Sequence, residues 1–583
     1  MKKVLCQKAA EVLEGISKEQ LLEIMEIPAD ERMGDFAIPC FALAKVQRKN
    51  PAVIAAEMKE KLSVRKAELG IDKLENVGGY CNIFMNRAEF VKLGIAKLSQ
   101  ENLGVEQSGI GKTICMDYSS PNIAKNFHVG HLRTTVIGNS LYKIHSKLGY
   151  NVVRINYLGD WGTQFGKLIV AYKKWSCKED VEKGGIEELL RIYVKFNAEA
   201  EKAPELMEEA RAWFVKMEKG DEEALDIWSW FKEISMVEFE RVYKLLGISF
   251  DSYSGESFYR NKVSAVAAEL QEKGLLKESQ GAKVIDLGAY DMPPCLITKS
   301  DGGSIYHSRD IAALLERKKI YHFDKCLYVT GLEQTLHFKQ VFKAIELMQY
   351  MWYEDLVHVP YGLVSMDGAK LSTRNGNIVY AEDILKEAIE RAMHAIKEKN
   401  PALTDKEEVA RKVGVGAVIF HDLYNQRIKN VDFSWEDVLS FEGTTGPYVQ
   451  YTYARAKSIL RKSTLSKADA KDLKKMSTDK VGVVKRNTQV DYALLTDDAS
   501  FTLIKTLLGY EDAVCNAMKK YEPSVIAKYL IAVASAFNHF YHECPILNAP
   551  AEDRSARLFL VDIVQKVIAD ACSLLGVECP EEM

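Results

Sequence analysis

Long apolar runs are missing from this sequence. No stretch of about 18 or more apolar residues occurs in its 583 residues, which excludes a membrane span of the usual kind. The first twenty residues are basic but contain no apolar core of about 7–15 residues, so no secretory signal is expected there. Cysteine is neither dense nor paired. The eleven cysteines are odd in number and scattered, with no C-x-x-C, which disfavours a disulfide scaffold or a zinc knuckle and points to a reducing cytoplasm. Internal repeats and low-complexity tracts are also absent. What is present is ordinary for a folded protein: 47% apolar and 27% charged residues, too apolar for wholesale disorder. The length suggests about three to five domains.

Net charge is only −4, but it is unevenly spread. Between Arg455 and Arg486 eleven Lys/Arg stand against Asp469, Asp472 and Asp479, a local excess of +8. Such a stripe in an acidic protein can bind a polyanion, or it can be a solvated loop.

Residues 1 to about 105 read as mixed α and β, with a helix over Glu19–Ile27 and a strand over Gly79–Met85. Lys112–Tyr118 reads as a buried strand, broken by Ser119-Ser120-Pro121-Asn122. A helix follows from Gly130 to Gly149, with Leu132, Val136, Ile137, Leu141, Ile144 and Leu148 at near-helical spacing. Asn151–Asn156 is the next strand, which completes a βαβ unit. Asp180–Leu246 is helical, packed by Trp213, Phe214, Trp228, Trp230 and Phe231. Strand–helix alternation then returns: strands over Ala282–Leu287, Pro294–Thr298, Lys325–Val329 and Val357–Val364, a turn at Asp301-Gly302-Gly303, and helices over Ile311–Lys319 and Leu336–Met348. The sum is a parallel α/β core with a helical insertion. Beyond about residue 380 strand signals nearly vanish.

The loop after the first core strand, Pro121-Asn122-Ile123-Ala124-Lys125-Asn126-Phe127-His128-Val129-Gly130-His131, sets two histidines around a glycine at a helix start. A helix N-terminus offers unpaired N–H groups and a positive dipole end, which suit phosphate. Glycine permits close approach, and imidazoles can donate to oxygens that gain charge. H-x-G-H should arise by chance roughly 0.01 times in such a chain. Downstream, Met366-Asp367-Gly368-Ala369-Lys370-Leu371-Ser372-Thr373-Arg374-Asn375-Gly376 is a glycine-flanked cationic loop, in which Lys370 and Arg374 suit a triphosphate.

H-x-G-H at the first strand–helix turn, with K-L-S-T-R far behind it, resembles the class I aminoacyl-tRNA synthetases. Ser119-Ser120-Pro121-Asn122-Ile123-Ala124-Lys125, Gly159-Asp160-Trp161-Gly162-Thr163-Gln164-Phe165-Gly166, Gly443-Thr444-Thr445-Gly446-Pro447-Tyr448-Val449-Gln450-Tyr451 and the terminal Pro580-Glu581-Glu582-Met583 narrow the resemblance to the arginyl-tRNA synthetases. It covers essentially the whole chain.

The resemblance implies a Rossmann-like catalytic domain over 106–380 with an insertion around 175–250. It also implies a small α+β N-terminal domain over 1–105 that touches the tRNA elbow, a helical connecting domain over 381–450, and an all-helical anticodon-binding bundle over 451–583. It implies activation of L-arginine by ATP with Mg²⁺ and transfer to the 3′-terminal ribose of its tRNA, by a cytoplasmic protein expected to act as a monomer with no resident metal. ATP would be held by His128, Gly130, His131, His337, Lys370, Leu371, Ser372 and Arg374, with Lys125, Lys370 and the two histidines catalytic. Arginine would meet Asp117, Ser119, Asn122, Tyr306, Asp310 and Gln334. A guanidinium is a planar fork of donors, so its site must supply acceptors; read without the family, Asp310 is instead a good helix cap.

Two positions depart from the family pattern. Thr373 stands where the wider class has its second lysine, a loss that Lys125 is thought to offset in this family. Asn126 stands where many members have proline. The family generally needs bound tRNA before it forms the adenylate, and the same is expected here. Two other readings remain: a synthetase for a different amino acid, and a non-catalytic RNA-binding paralogue. The second sits poorly with intact His128, His131, Lys370 and Ser372.

Overall fold

The computed structural model describes residues 2–13, 15–28, 30–298, 305–366, 369–370, 379–464 and 490–583. The chain forms two compact units.

One unit comprises Met1–Val105, Thr452–Asp512 and Ile531–Ile568. Its sheet runs β1 (Phe36–Pro39), β3 (Tyr80–Met85), β2 (Ile71–Val77), all antiparallel. Gly78 and Gly79 form the two-residue link between β2 and β3, with Gly78 at φ +57°, the left-handed backbone that tight hairpins require. The Arg87–Leu98 helix lies against the Asp498–Leu508 helix, with Phe90 and Phe501 ring centroids 5.1 Å apart. A Cβ at Gly94 would sit 2.9 Å from Leu508, so this contact needs glycine. Lys3 and Lys97 donate to Glu511 at 2.7 and 2.6 Å.

The other unit comprises Glu106–Tyr451, Ala513–Leu530 and Ala569–Met583. Its centre is a parallel sheet in the order β10 (Leu356–Tyr361), β9 (Lys325–Gly331), β4 (Thr113–Asp117), β5 (Asn151–Ile155). β4 is inside the sheet, with Cys115 between Cys326 and Val153, and the apolar run Ile114-Cys115-Met116 within it is buried accordingly, before the strand ends on buried Asp117. The Val129–Lys147 helix links β4 to β5 as the βαβ reading requires. This is the Rossmann-like core. The insertion consists of the Lys178–Ala200, Glu205–Glu218 and Glu222–Leu246 helices. Phe231 is fully buried there, whereas Trp213, Phe214, Trp228 and Trp230 are half-buried.

Three expectations change. The strands near 282–298 do not join the parallel sheet. β6 (Leu276–Ser279), β7 (Ala282–Ile285) and β8 (Cys295–Thr298) form a separate antiparallel sheet. Two residues link β6 to β7, and a parallel pair needs a crossover of about a dozen or more. The strand read over 357–364 is two strands. β10 ends at Tyr361, and β11 (Val364–Met366) pairs instead with β12 (Ala369–Lys370) and, in parallel, with β13 (Val431–Phe433). The break falls at Gly362, where a Cβ would lie 2.6 Å from the Lys429 backbone. β13 itself, inside a region read as helical, is too short to show alternation. Finally, the helix read from Ile311 starts at Tyr306. The backbone N–H of Ile305 donates to Ser308 Oγ at 3.2 Å and opens it there, so Asp310 lies in the second turn and is not the cap.

The tail of the chain packs inside this second unit. The Glu578 carbonyl accepts from Gln450 at 2.7 Å, its carboxylate pairs with Arg411 at 2.9 Å, and the Met583 carbonyl accepts from Asn400 at 3.2 Å. Lys147, at the end of the Val129–Lys147 helix, pairs with Asp570 at 2.7 Å. Among the described residues no helix is long and apolar enough to cross a membrane.

Candidate active site

A cavity of about 970 Å³ opens at the C-terminal ends of β4, β9 and β10, lined there by Asp117, Thr330, Gly331, Tyr361 and Gly362. This is where parallel α/β sheets bind ligands, because the loops that follow adjacent strands diverge there.

The turn that leaves β4 is built against its own preferences. Ser119, Ser120 and Ala124 have φ of +74°, +48° and +59°, left-handed backbone that costs a non-glycine residue on the order of 1–2 kcal/mol each. Cross-links hold it. Ser120 N–H donates to Asn156 Oδ1 at 3.1 Å, Ser120 Oγ to Asp117 at 2.8 Å, and Ala124 N–H to Ser235 Oγ at 3.0 Å. Ser119 Oγ and the Tyr243 hydroxyl are 2.7 Å apart. Asn122 forms a bridge with Gly159, where a Cβ would fall 2.1 Å from Asn122 Oδ1; only glycine admits that side chain.

The two histidines follow. His128 caps the helix, with Nδ1 accepting from Gly130 N–H at 3.1 Å, and His131 Nδ1 accepts from His128 N–H at 3.4 Å. The rings stack with centroids 3.8 Å apart. Burial, reinforced by Lys125, pushes His128 below its ordinary pKa, and burial with His128 beside it pushes His131 far below. Both imidazoles are therefore neutral at pH 7. Each Nδ1 is engaged as an acceptor, so each proton sits on Nε2, which makes both rings donors at that atom. Lys125 is half-buried, its pKa lowered by burial, and it does not line the cavity. Asn126 is buried.

The chain returns to this helix start at residue 379. Val129 N–H donates to the Val379 carbonyl at 3.2 Å, Ala381 N–H to the Phe127 carbonyl at 2.9 Å, and His128 bridges Tyr380. Lys370 belongs to β12, beside Ser365 of β11. Leu371, Ser372, Thr373 and Arg374 lie outside the described residues, as do most of the basic segment after Thr464 and the Asp301-Gly302-Gly303 turn.

On the other wall stand Asp117, Tyr306, Asp310, Gln334 and His337. Asp117 is 3% exposed and lies 2.7 Å from the Arg317 guanidinium. Burial raises its pKa against the pull of Arg317 and Ser120. Arg317 also donates to the Tyr328 hydroxyl at 3.0 Å and faces the Tyr157 and Tyr328 rings at 5.1 and 5.4 Å. Glu256 lines the cavity too, with Arg309 Nη1 2.5 Å from its carboxylate. Burial pushes Glu256 up to about 8, with Arg309 opposing. Asp310 bonds His337, Oδ2 to Nε2, at 2.5 Å. So His337, expected against the nucleotide, is seated on the expected arginine carboxylate.

The structure thus brings His128, Gly130, His131, Asp117, Ser119, Asn122, Tyr306, Asp310, Gln334 and His337 to one cavity. Arg317, Arg309, Glu256 and Tyr157 were not foreseen. Arg317 had a usable signal: it follows Asp310 by seven residues on one helix, and so shares its face. Glu256 and Arg309 meet across 53 residues and had none.

A parallel sheet whose strand runs into an H-x-G-H helix start, over a cavity at the strands' C-terminal ends, defines a class I aminoacyl-tRNA synthetase catalytic domain. The family model "tRNA synthetases class I (R), catalytic domain" matches residues 95–435. "Arginyl tRNA synthetase N terminal domain" matches 2–85, and "DALR anticodon binding domain" matches 449–583. An arginine–tRNA ligase of Alkaliphilus metalliredigens is 49% identical over 583 residues, 99% of each chain. One from Clostridium acetobutylicum is 51% identical over 585 residues, all of both chains. The solved arginyl-tRNA synthetase of Thermus thermophilus superposes with a TM-score of 0.79 at 25% identity, over 100% of this chain and 99% of that one. The chain belongs to the arginyl-tRNA synthetase family.

Proposed function

We propose that this cavity is where the family reaction runs: ATP-dependent activation of L-arginine to arginyl-adenylate, then transfer to the 3′-terminal ribose of its tRNA, with release of AMP and pyrophosphate. The observation that carries this reading is that the H-x-G-H helix start and Asp310 line a single cavity. The arginine carboxylate attacks the α-phosphorus, pyrophosphate leaves, and the ribose hydroxyl then takes the arginyl group. No protein nucleophile is required, so positioning and charge stabilisation carry the catalysis.

ATP lies against His128, Gly130 and His131, whose Nε2–H groups donate to oxygens as charge develops. Lys370, Leu371, Ser372 and Arg374 close on the phosphates, with Lys125 as the second cation that Thr373 does not supply, and His337 stands between nucleotide and amino acid. Arginine presents its guanidinium to Asp310, Tyr306 and Gln334 and its α-amino end to Asn122 and Ser119, with Asp117 behind. Mg²⁺ supplies charge neutralisation to the triphosphate. Asp117 and Glu256 face guanidinium groups and Asp310 an imidazole, a donor set that fits an ion held mainly by phosphates and water. The domain over 106–380, with its insertion around 175–250, carries this chemistry. Residues 1–105 meet the tRNA elbow, 381–450 connect, and 451–583 take the anticodon stem. The enzyme works as a cytoplasmic monomer.

The test is aminoacylation of total tRNA with each amino acid separately, alongside ATP–pyrophosphate exchange with and without cognate tRNA. Charging by arginine alone, with exchange that appears only when tRNA is added, is the expected result. Exchange driven by another amino acid overturns the substrate assignment. Robust exchange without RNA overturns the tRNA-assembled site. A Lys125→Ala variant should lose the tRNA-stimulated exchange while keeping tRNA affinity.

A further inference from the structure

Asp160 does not line the cavity, and it is completely inaccessible to solvent. A buried carboxylate needs partners, and those of Asp160 come from two places. The Glu222–Leu246 helix of the insertion gives Lys232, whose ammonium lies 2.7 Å from Oδ2, and Trp228, whose Nε1–H donates to the Asp160 carbonyl at 2.7 Å. Four residues apart, the two side chains share one helix face, with the ammonium 5.5 Å from the indole ring centroid. The segment that follows the insertion gives Ser257, whose N–H donates to Oδ1 and whose hydroxyl donates to Oδ2, both at 2.8 Å.

Ser257 is the neighbour of Glu256, and the Glu256 N–H donates to the Leu158 carbonyl at 3.0 Å. A Cβ at Gly255 would fall 2.6 Å from Asp160 Oδ1 and from the Leu158 carbonyl oxygen, so only glycine lets the two segments lie this close. The Glu256 carboxylate lines the cavity and pairs with Arg309 at 2.5 Å. The same guanidinium nitrogen donates to the Trp161 carbonyl at 3.1 Å, and the guanidinium carbon lies 5.3 Å from the Tyr306 ring centroid. Arg309 is 7% exposed and Tyr306 67%, so an open ring has a buried cation at its back.

We propose that Lys232 is a positioning residue for arginine: through Asp160 it fixes the Gly255–Ser257 segment, and so the Glu256–Arg309 pair against which Tyr306 stands. This rests on the assignment of Tyr306 and Asp310 to the arginine side chain. It gives the helical insertion a share in the amino-acid site. It also gives Gly159-Asp160-Trp161-Gly162 a task, since the aspartate receives the insertion and the tryptophan carbonyl receives Arg309. Without the ammonium, Asp160 is left buried without its cationic partner. Its relief is to turn toward water, which pulls on Ser257. The displacement reaches Glu256 through one peptide and Arg309 through one ion pair. The H-x-G-H helix start is held separately, by Val379 and Ala381, so the nucleotide side is spared.

The test is steady-state aminoacylation by the full chain, with arginine and ATP varied in turn. Lys232→Met should raise the KM for arginine on the order of 10–10²-fold, the scale for a displacement of about an ångström at a recognition group, with the KM for ATP and kcat close to wild type. Lys232→Arg, which keeps a charged donor, should restore most of the loss. Ser257→Ala removes a single donor and leaves the Lys232 pair in place, so it should fold as wild type and shift the arginine KM the same way by less. Both changes act on one carboxylate, so the double variant should fall short of the product of the single effects. KM values for both substrates that rise together, with no rescue by Lys232→Arg, mean that the bonds only fasten the insertion, and overturn the proposal. So does an unchanged arginine KM in Lys232→Met, or in Ser257→Ala should Lys232→Met not fold. If Asp310→Ala and Tyr306→Ala leave the arginine KM at its wild-type value, the assignment of those two residues fails first, and the proposal with it.

Discussion

Asp117 and Asp310 face the same cavity on unlike terms. Asp117 ends a central strand, is almost inaccessible and is locked to Arg317, which two tyrosine rings enclose. Asp310 sits one helix turn behind Tyr306, is partly open, and is bonded by His337 from another helix. Both are acids that line one cavity, yet only one is held by a partly exposed partner. The difference lies less in the carboxylates than in their partners. A permanent, enclosed guanidinium makes a carboxylate part of the scaffold. A partly exposed imidazole leaves it open to a ligand.

That contrast can be broken at several points. Arg317→Met should cost about 3–5 kcal/mol in stability, because it leaves Asp117 buried and uncompensated. Thermal unfolding should show most of the loss returning in the Arg317→Met/Asp117→Leu double variant. A small loss in the single variant would mean that the pair is not part of the scaffold. Asp310→Ala should raise the KM for arginine on the order of 10²–10³-fold, the scale for truncating one partner of a hydrogen-bonded charge pair, with little change in the KM for ATP. Equal damage to both would move Asp310 into the class of Asp117. His128→Ala should lower kcat on the order of 10²–10³-fold, as for loss of one transition-state donor. His131→Ala should do the same and also lower the melting temperature, because its half-buried ring stacks on that of His128. Near-normal charging by the double variant would remove the helix start from the mechanism.

Glu256 sharpens the comparison with the smallest effect. It is paired to a guanidinium like Asp117, but its pKa is raised by burial from 4.5 to about 8. The folded state therefore binds its proton more tightly than the unfolded chain. That contribution to stability is complete below about 4.5 and is lost as pH rises to about 8. Replacing Glu256 with Gln should flatten the melting temperature across this window. A profile identical to wild type would show that Arg309 holds Glu256 charged throughout, as fully as a scaffold pair requires.

The strand–turn–helix around His128 was legible because it is local: the breaker, the glycine and the helix periodicity all lie within thirty residues. The sheet order was not, since β9 joins β4 across more than two hundred residues and no local pattern encodes such a pairing. Arg317 was hidden by its neighbours, because Glu316-Arg317-Lys318-Lys319 reads as a solvated helix face while Arg317 points inward at 1% exposure. The left-handed turn at Ser119, Ser120 and Ala124 was illegible for a related reason. Its shape is imposed by Asn156, Ser235 and Tyr243 from distant elements, against what its own residues favour. Asp310 was named through family resemblance alone, and its place in the second helix turn answers the cap alternative directly.

The way the last residues pack has a practical side. Glu578 and Met583 are tied by backbone carbonyls to Gln450 and Asn400, and Asp570 holds Lys147 on the helix that begins beside His128. A Cβ at Gly576 would come 3.2 Å from Asn139, near the middle of that helix. Any change that loosens Glu578 or Met583 from these partners would therefore pull on the far end of the helix whose start carries His128 and His131, and should register as lost activity with every motif residue intact.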